Sequence, residues 1–77
     1  MVRIQIELPE EKVKELDNLM RVAQISTRKD LFNNALTLFE WAIEERKSGR
    51  SIASVDENNK RYKELVMPTL SAVAPKS

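Results

Sequence analysis

The chain has 77 residues, with 13 basic and 12 acidic side chains, a formal net charge of +1, and neither cysteine nor histidine. Those absences exclude a disulfide framework, a thiolate nucleophile or metal site, and an imidazole base near neutral pH, so the expectation is no enzyme, no metal and no cofactor. One domain of this size buries a small core and is expected to oligomerise. No apolar run approaches the roughly 20 residues of a membrane span and no signal-peptide core opens the chain, so a soluble, cytoplasmic protein is expected.

Val2, Ile4, Ile6 and Leu8 alternate with Arg3, Gln5 and Glu7, the period of a strand with one dry and one wet face. Pro9 stops that ladder, because it has no N–H to donate and its fixed φ suits a helix start. A lone strand leaves its backbone groups unpaired, and the natural partner is the same strand of a second copy.

Glu10 and Glu11 open a helix with two carboxylates at the positive end of its dipole. Val13, Leu16, Leu19, Met20 and Ala23 follow on an arc of roughly 120°, at about 100° per residue, with Lys14, Asp17 and Arg21 on the wet side. The helix should end near Ala23, and Gln24, Ile25 and Ser26 make a short connection. Thr27 begins a second helix. With Asp30 it forms a capping-box pattern, the hydroxyl accepting a first-turn N–H and the carboxylate reaching back.

Leu31, Phe32, Ala35, Leu36, Leu38, Phe39, Trp41, Ala42 and Ile43 spread over an arc of roughly 220°, too wide for one neighbour. This helix should pack on the first and on another subunit, leaving a wet wedge of Asn33, Thr37, Glu40 and Glu44. Arg46 and Lys47 suit its negative end, and Gly49, the only glycine, suits the position just beyond it. Further on, Ser51–Val55 and Arg61–Met67 read as a hairpin around the turn-rich Asp56, Glu57, Asn58 and Asn59. A helix through Tyr62, Leu65 and Val66 is the alternative. Pro68 ends the element either way, and residues 69–77 are expected to be a mobile tail.

Two features carry candidate chemistry. Two copies of the opening strand, antiparallel about a two-fold axis at Gln5, would set Arg3 opposite Glu7 of the partner subunit. Each such pair would contribute roughly 0.2–1 kcal/mol. The wet face of such a ribbon would present Arg3, Gln5 and Glu7 from both chains, and a two-stranded ribbon fits the major groove of B-DNA, where Gln can read adenine, Arg guanine and Glu cytosine. The bland alternative is the solvated side of a half-buried ribbon.

The second feature is a broken rule: Arg28 and Lys29 lie in the first turn of the second helix, where the dipole disfavours cations by roughly 0.3–1 kcal/mol each. Such violations concentrate at functional sites, and cations beside free helix N–H groups make a phosphate site. The alternative is that both side chains simply bend into water. Trp41, Phe32 and Phe39 are better read as core than as a stacking platform. Glu44 with Glu45, and Asp56 with Glu57, are read as solvated charge, and Lys60–Lys63 as a polar hairpin edge that could also touch a nucleic-acid backbone.

In this order and spacing the chain resembles the ribbon-helix-helix family of DNA-binding proteins, the MetJ/Arc/CopG class, over Val2 to about Ile43. The resemblance rests on the alternating strand running into Leu8-Pro9-Glu10 and on Ser26-Thr27-Arg28-Lys29-Asp30-Leu31 followed by Asn34-Ala35-Leu36. It implies a mostly α fold with one N-terminal strand, an intertwined homodimer joined by an intermolecular antiparallel β-ribbon. Base reading would fall to Arg3, Gln5 and Glu7, and phosphate binding to Thr27, Arg28 and Lys29. Members are typically transcriptional repressors, including antitoxins that bind a toxin through a C-terminal extension. This chain departs from the pattern in having Ile25 and Ser26 where many members carry a glycine, and in the acidic Glu7.

The expected organisation is therefore a DNA-binding and dimerisation domain over 1–48, an extension over 49–68 and the tail over 69–77. The dimer core would comprise Val2, Ile4, Ile6, Leu8, Leu31, Phe32, Ala35, Leu38 and Phe39, and the partners would be double-stranded DNA and a second copy. Two rivals remain at this point. One is an antitoxin-like or other interaction module whose dimeric core presents residues 50–68 to a protein partner. The other is a monomeric α+β domain in which the opening strand pairs with the C-terminal hairpin.

Overall fold

The computed structural model describes residues 1–74; Pro75, Lys76 and Ser77 lie outside the described residues, and with them the end of the expected tail. The fold is mostly helical with one small antiparallel sheet, in the order α1 (Glu10–Ala23), α2 (Arg28–Lys47), β1 (Ala53–Asp56), β2 (Arg61–Glu64) and α3 (Pro68–Ser71). Among the described residues, no helix is long and apolar enough to cross a membrane. The chain divides into two compact units, Met1–Asn34 and Ala35–Ser77.

In the first unit, residues 1–9 form neither helix nor strand. The strand expected over Val2–Leu8 is thus not formed within a single chain, because none of the described residues pairs with it: the sheet among them consists of β1 and β2. The rival fold with the opening strand on the C-terminal hairpin is excluded by the same observation.

Pro9, at φ −59° and ψ 153°, occupies the N-cap of α1. Its carbonyl accepts the N–H groups of Lys12 at 3.0 Å and Val13 at 3.1 Å, and Glu10 and Glu11 fill the first turn where the dipole favours them. Val13, Leu16 and Met20 are half-buried along one stripe, and no residue of α1 is fully buried. The helix closes on Gln24, a non-glycine in the left-handed region at φ 57°. There the Gln24 N–H reaches the Arg21 carbonyl at 3.3 Å and the Ile25 N–H the Met20 carbonyl at 2.8 Å, the paired bonds of a Schellman motif.

The second unit begins within α2, whereas the sequence reading sets a boundary at 48/49. The physical reason lies in Arg46. Its Nε donates to the Leu70 carbonyl at 3.3 Å and its Nη1 to the Arg50 carbonyl at 3.4 Å, tying the last turns of α2 to α3 and to the segment just beyond the helix. Gly49, at φ 81°, ends α2 as expected. The Gly49 N–H reaches Arg46 O at 2.9 Å and the Arg50 N–H reaches Glu45 O at 3.0 Å, so this helix too ends in a Schellman pair.

The hairpin is present and shorter than expected, with Ala53 opposite Glu64, Ser54 opposite Lys63, Val55 opposite Tyr62 and Asp56 opposite Arg61. The Leu65 N–H to Ile52 O bond, 2.7 Å, continues the pairing beyond the strands. Asp56 builds the turn: its Oδ1 accepts the Asn59 N–H at 3.3 Å and its Oδ2 the Asn59 side-chain amide at 2.9 Å, a side-chain mimic of a backbone turn.

Residues 69–74, expected as tail, instead include most of α3, whose Leu70 is 3% exposed; Leu70 and Ala42 are the two buried hydrophobics among the described residues. Pro68 starts α3 rather than only ending the preceding element, its ring pre-set for the first helical turn.

Candidate functional site

The opening segment presents both of its faces to solvent. Val2 is 92% exposed, Ile4 74%, Ile6 63% and Leu8 43%, so burial begins only as the chain approaches Pro9. Arg3, Gln5 and Glu7 are exposed and form no hydrogen bond or ion pair among the described residues. The backbone of residues 1–8 likewise makes no hydrogen bond to the described remainder of the chain. A segment with four large aliphatic side chains in water and an unused row of donors and acceptors is poised for pairing.

At the start of α2, Thr27 caps the helix. Its carbonyl accepts the Leu31 N–H at 3.1 Å and its Oγ1 accepts the Asp30 N–H at 3.1 Å. The return bond of a capping box, donated by the Thr27 N–H to the Asp30 carboxylate, is not among the bonds of the described residues, so half of the expected motif is present. Asn34 Nδ2 donates to the Asp30 carbonyl at 2.7 Å. Lys29 is exposed and makes no ion pair among the described residues. Arg28 is engaged: its Nη2 lies 3.3 Å from Oδ1 of Asp17 on α1, with the two side chains 65% and 55% exposed. The sequence reading placed Asp17 on the wet side of its helix and missed this partner, because a contact between residues eleven apart depends on the turn between two helices.

The expected dimer-core positions on α2 are unevenly covered within the chain. In the first unit Leu31 is half-buried and Phe32 is 48% exposed; in the second Phe39 is half-buried, Ala35 is exposed and Leu38 is 64% exposed. Trp41, expected in a core, is 50% exposed. Of the two carboxylates read as solvated charge, Glu44 is exposed and pairs with Lys47 at 3.2 Å, whereas Glu45 is half-buried and pairs with Arg50. Among the described residues, no group of three or more His, Cys, Asp or Glu side chains could hold a metal ion.

The hairpin is solvated on both faces, and every residue of β1 and β2 is exposed. Lys60 takes the left-handed position of the turn at φ 52°, so its role is at least partly conformational. Asp56 is held below the usual carboxylate range by the Asn59 side-chain amide, with the backbone N–H groups of Asn59 and Asn58 adding to the effect and burial opposing it. Comparison with family models, with curated proteins and with solved structures finds no match to this chain.

Proposed function

We propose that the chain is a cytoplasmic, homodimeric ribbon-helix-helix regulator that binds operator DNA and represses transcription. The observation that carries the reading is the opening segment: alternating apolar residues 43–92% exposed and a backbone without hydrogen-bond partners among the described residues, directly ahead of two helices. Pairing with a second copy satisfies that backbone and gives the four aliphatic side chains of each chain a dry face.

Phe32, Leu36, Leu38 and Trp41, all 44–64% exposed, are α2 side chains available to a dimer interface.

In the dimer, Gln5 sits at the dyad with Arg3 beside Glu7 of the partner subunit, and the ribbon enters the major groove with Arg3, Gln5 and Glu7 at the base edges. Thr27, Arg28 and Lys29 take the flanking phosphates, using the positive end of α2. Phosphate contacts fix the register, and the ribbon reads sequence.

Selection of bound sites from a random duplex pool tests DNA binding, site symmetry and half-site spacing together. A palindromic site is expected, and Gln5→Ala is expected to relax preference at its centre with a cost of about 1–3 kcal/mol while the dimer stays intact. Unchanged affinity and preference in Gln5→Ala would remove the ribbon-reading mechanism.

The exposed apolar residues of the second unit, Val55 at 67% and Tyr62 at 65% side by side on one hairpin face, favour a second reading, a dimeric module that presents residues 50–68 to a protein partner. Salt titration against random duplex DNA separates the two, since a pure protein-interaction module has no affinity even at low salt.

A further inference from the structure

We infer that Asp17 sets the strength of the phosphate grip: its carboxylate occupies the Arg28 guanidinium as an internal stand-in for a DNA phosphate and must be displaced before Arg28 can clamp the backbone. The inference rests on the DNA-binding reading above and adds to it a residue outside the strand and the α2 start.

The geometry is that of a displaceable pair. Arg28 uses one nitrogen, Nη2, on one oxygen of Asp17 at 3.3 Å, and both side chains are more than half exposed. Single-point ion pairs in water are weak and easily exchanged, while a phosphate offers the guanidinium a bidentate acceptor. Nothing else in the chain competes for Arg28 among the described residues. Its neighbour Lys29 is free of any ion pair there, so the clamp has one held cation and one ready cation.

The pair accounts as well for one of the two cations at the positive end of α2, Arg28. In the free protein Asp17 offsets the unfavourable placement of Arg28, and the energy that DNA must supply to break the pair lowers affinity for all sequences alike. A purely structural role for the pair makes a different prediction, loss of stability with no effect on DNA.

The test compares the full chain with Asp17→Asn for binding to random-sequence duplex DNA over a range of salt concentrations. Asp17→Asn is expected to bind about two- to fivefold more tightly per protomer, hence up to about twenty-fivefold for a dimer with two pairs. The fall of its log affinity with log salt should keep the parent's slope, because Arg28 reaches the same phosphate in both complexes. Melting temperature without DNA should stay close to that of the parent chain. Asp17→Glu, which keeps the carboxylate, should bind as the parent does, and adding Arg28→Gln to Asp17→Asn should erase the gain. Equal or weaker binding by Asp17→Asn, or a gain that survives Arg28→Gln, overturns the inference while leaving DNA binding by the parent chain intact. A parent chain without affinity for any duplex at low salt overturns the DNA-binding reading itself, and this inference with it.

Discussion

Residues 2–8 and residues 53–64 both carry strand-forming side chains, and they differ in where the chain goes next. The first run has clean apolar alternation and then Pro9 and a helix, so the chain leads away from it and offers no strand nearby. The second has poor alternation and both faces in solvent, yet Asp56 and Asn59 fold the chain back on itself and the ladder closes. Alternation tells which side chains need burial; loop closure decides whether the partner lies in the same chain. A short loop costs little entropy to close, which is why the less apolar stretch is the one that pairs here.

The sharpest way to break this comparison is to place the same charge in both stretches. Ile6→Asp puts a carboxylate on the dry face of the proposed ribbon twice per dimer. Each copy forfeits the burial of a large aliphatic side chain, about 1.5–3 kcal/mol, so dimerisation should weaken by on the order of a hundredfold or more. Val55→Asp, at a hairpin position equally exposed in the single chain at 67% against 63%, should leave dimerisation unchanged. Sedimentation equilibrium over a dilution series reads both. Equal effects of the two substitutions would mean that the opening segment is no more an interface than the hairpin is.

A smaller effect isolates the turn. Asp56→Ala removes both bonds to Asn59 and should speed hydrogen exchange at the Leu65 amide, which reports the end of the ladder through its bond to Ile52, by severalfold while leaving dimerisation as it was. The same bonds give the hairpin a pH dependence with a definite sign. Asp56 is acidified in the folded chain, first by the Asn59 side-chain amide. Its contribution is therefore fully present above the unfolded carboxyl value, near pH 4, and is lost as pH falls through the lower folded value. Protection of the Leu65 amide should decline over that acid window, and Asp56→Ala should flatten the decline. Full exposure of the group keeps the effect modest.

How far the sequence discloses the molecule depends on the range of each interaction. The ends of α1 and α2, the Thr27 cap, Gly49 and the Asp56–Asn59 turn are legible because their causes lie within a few residues. The Arg28–Asp17 pair is not, since it depends on the turn between two helices. The burial of Leu70 escapes because a lone leucine between Pro68 and Pro75 has no periodicity to mark it, and the bond that holds its carbonyl comes from Arg46, twenty-four residues earlier. The candidate base-reading face is legible as a pattern of alternating residues, while the partner proposed for it would come from a second chain.

The smallest effect concerns the end of α1, compared with the end of α2. Both helices end in the same pair of backbone bonds, yet α2 supplies glycine at φ 81° and α1 supplies Gln24 at φ 57°. A side chain in the left-handed region crowds its own carbonyl, whereas glycine does not, and part of that gain is offset by the greater freedom of glycine in the unfolded chain. Gln24→Gly should therefore stabilise the chain by about 0.5–1 kcal/mol, raising the melting temperature by a few degrees, roughly 2–8 °C for a domain of this size. Gly49→Ala should act in the opposite sense by a similar amount, because there the wild-type residue already suits its angle. Stabilisation from both substitutions, or from neither, would mean that the backbone at these two ends is not held by the bonds they share.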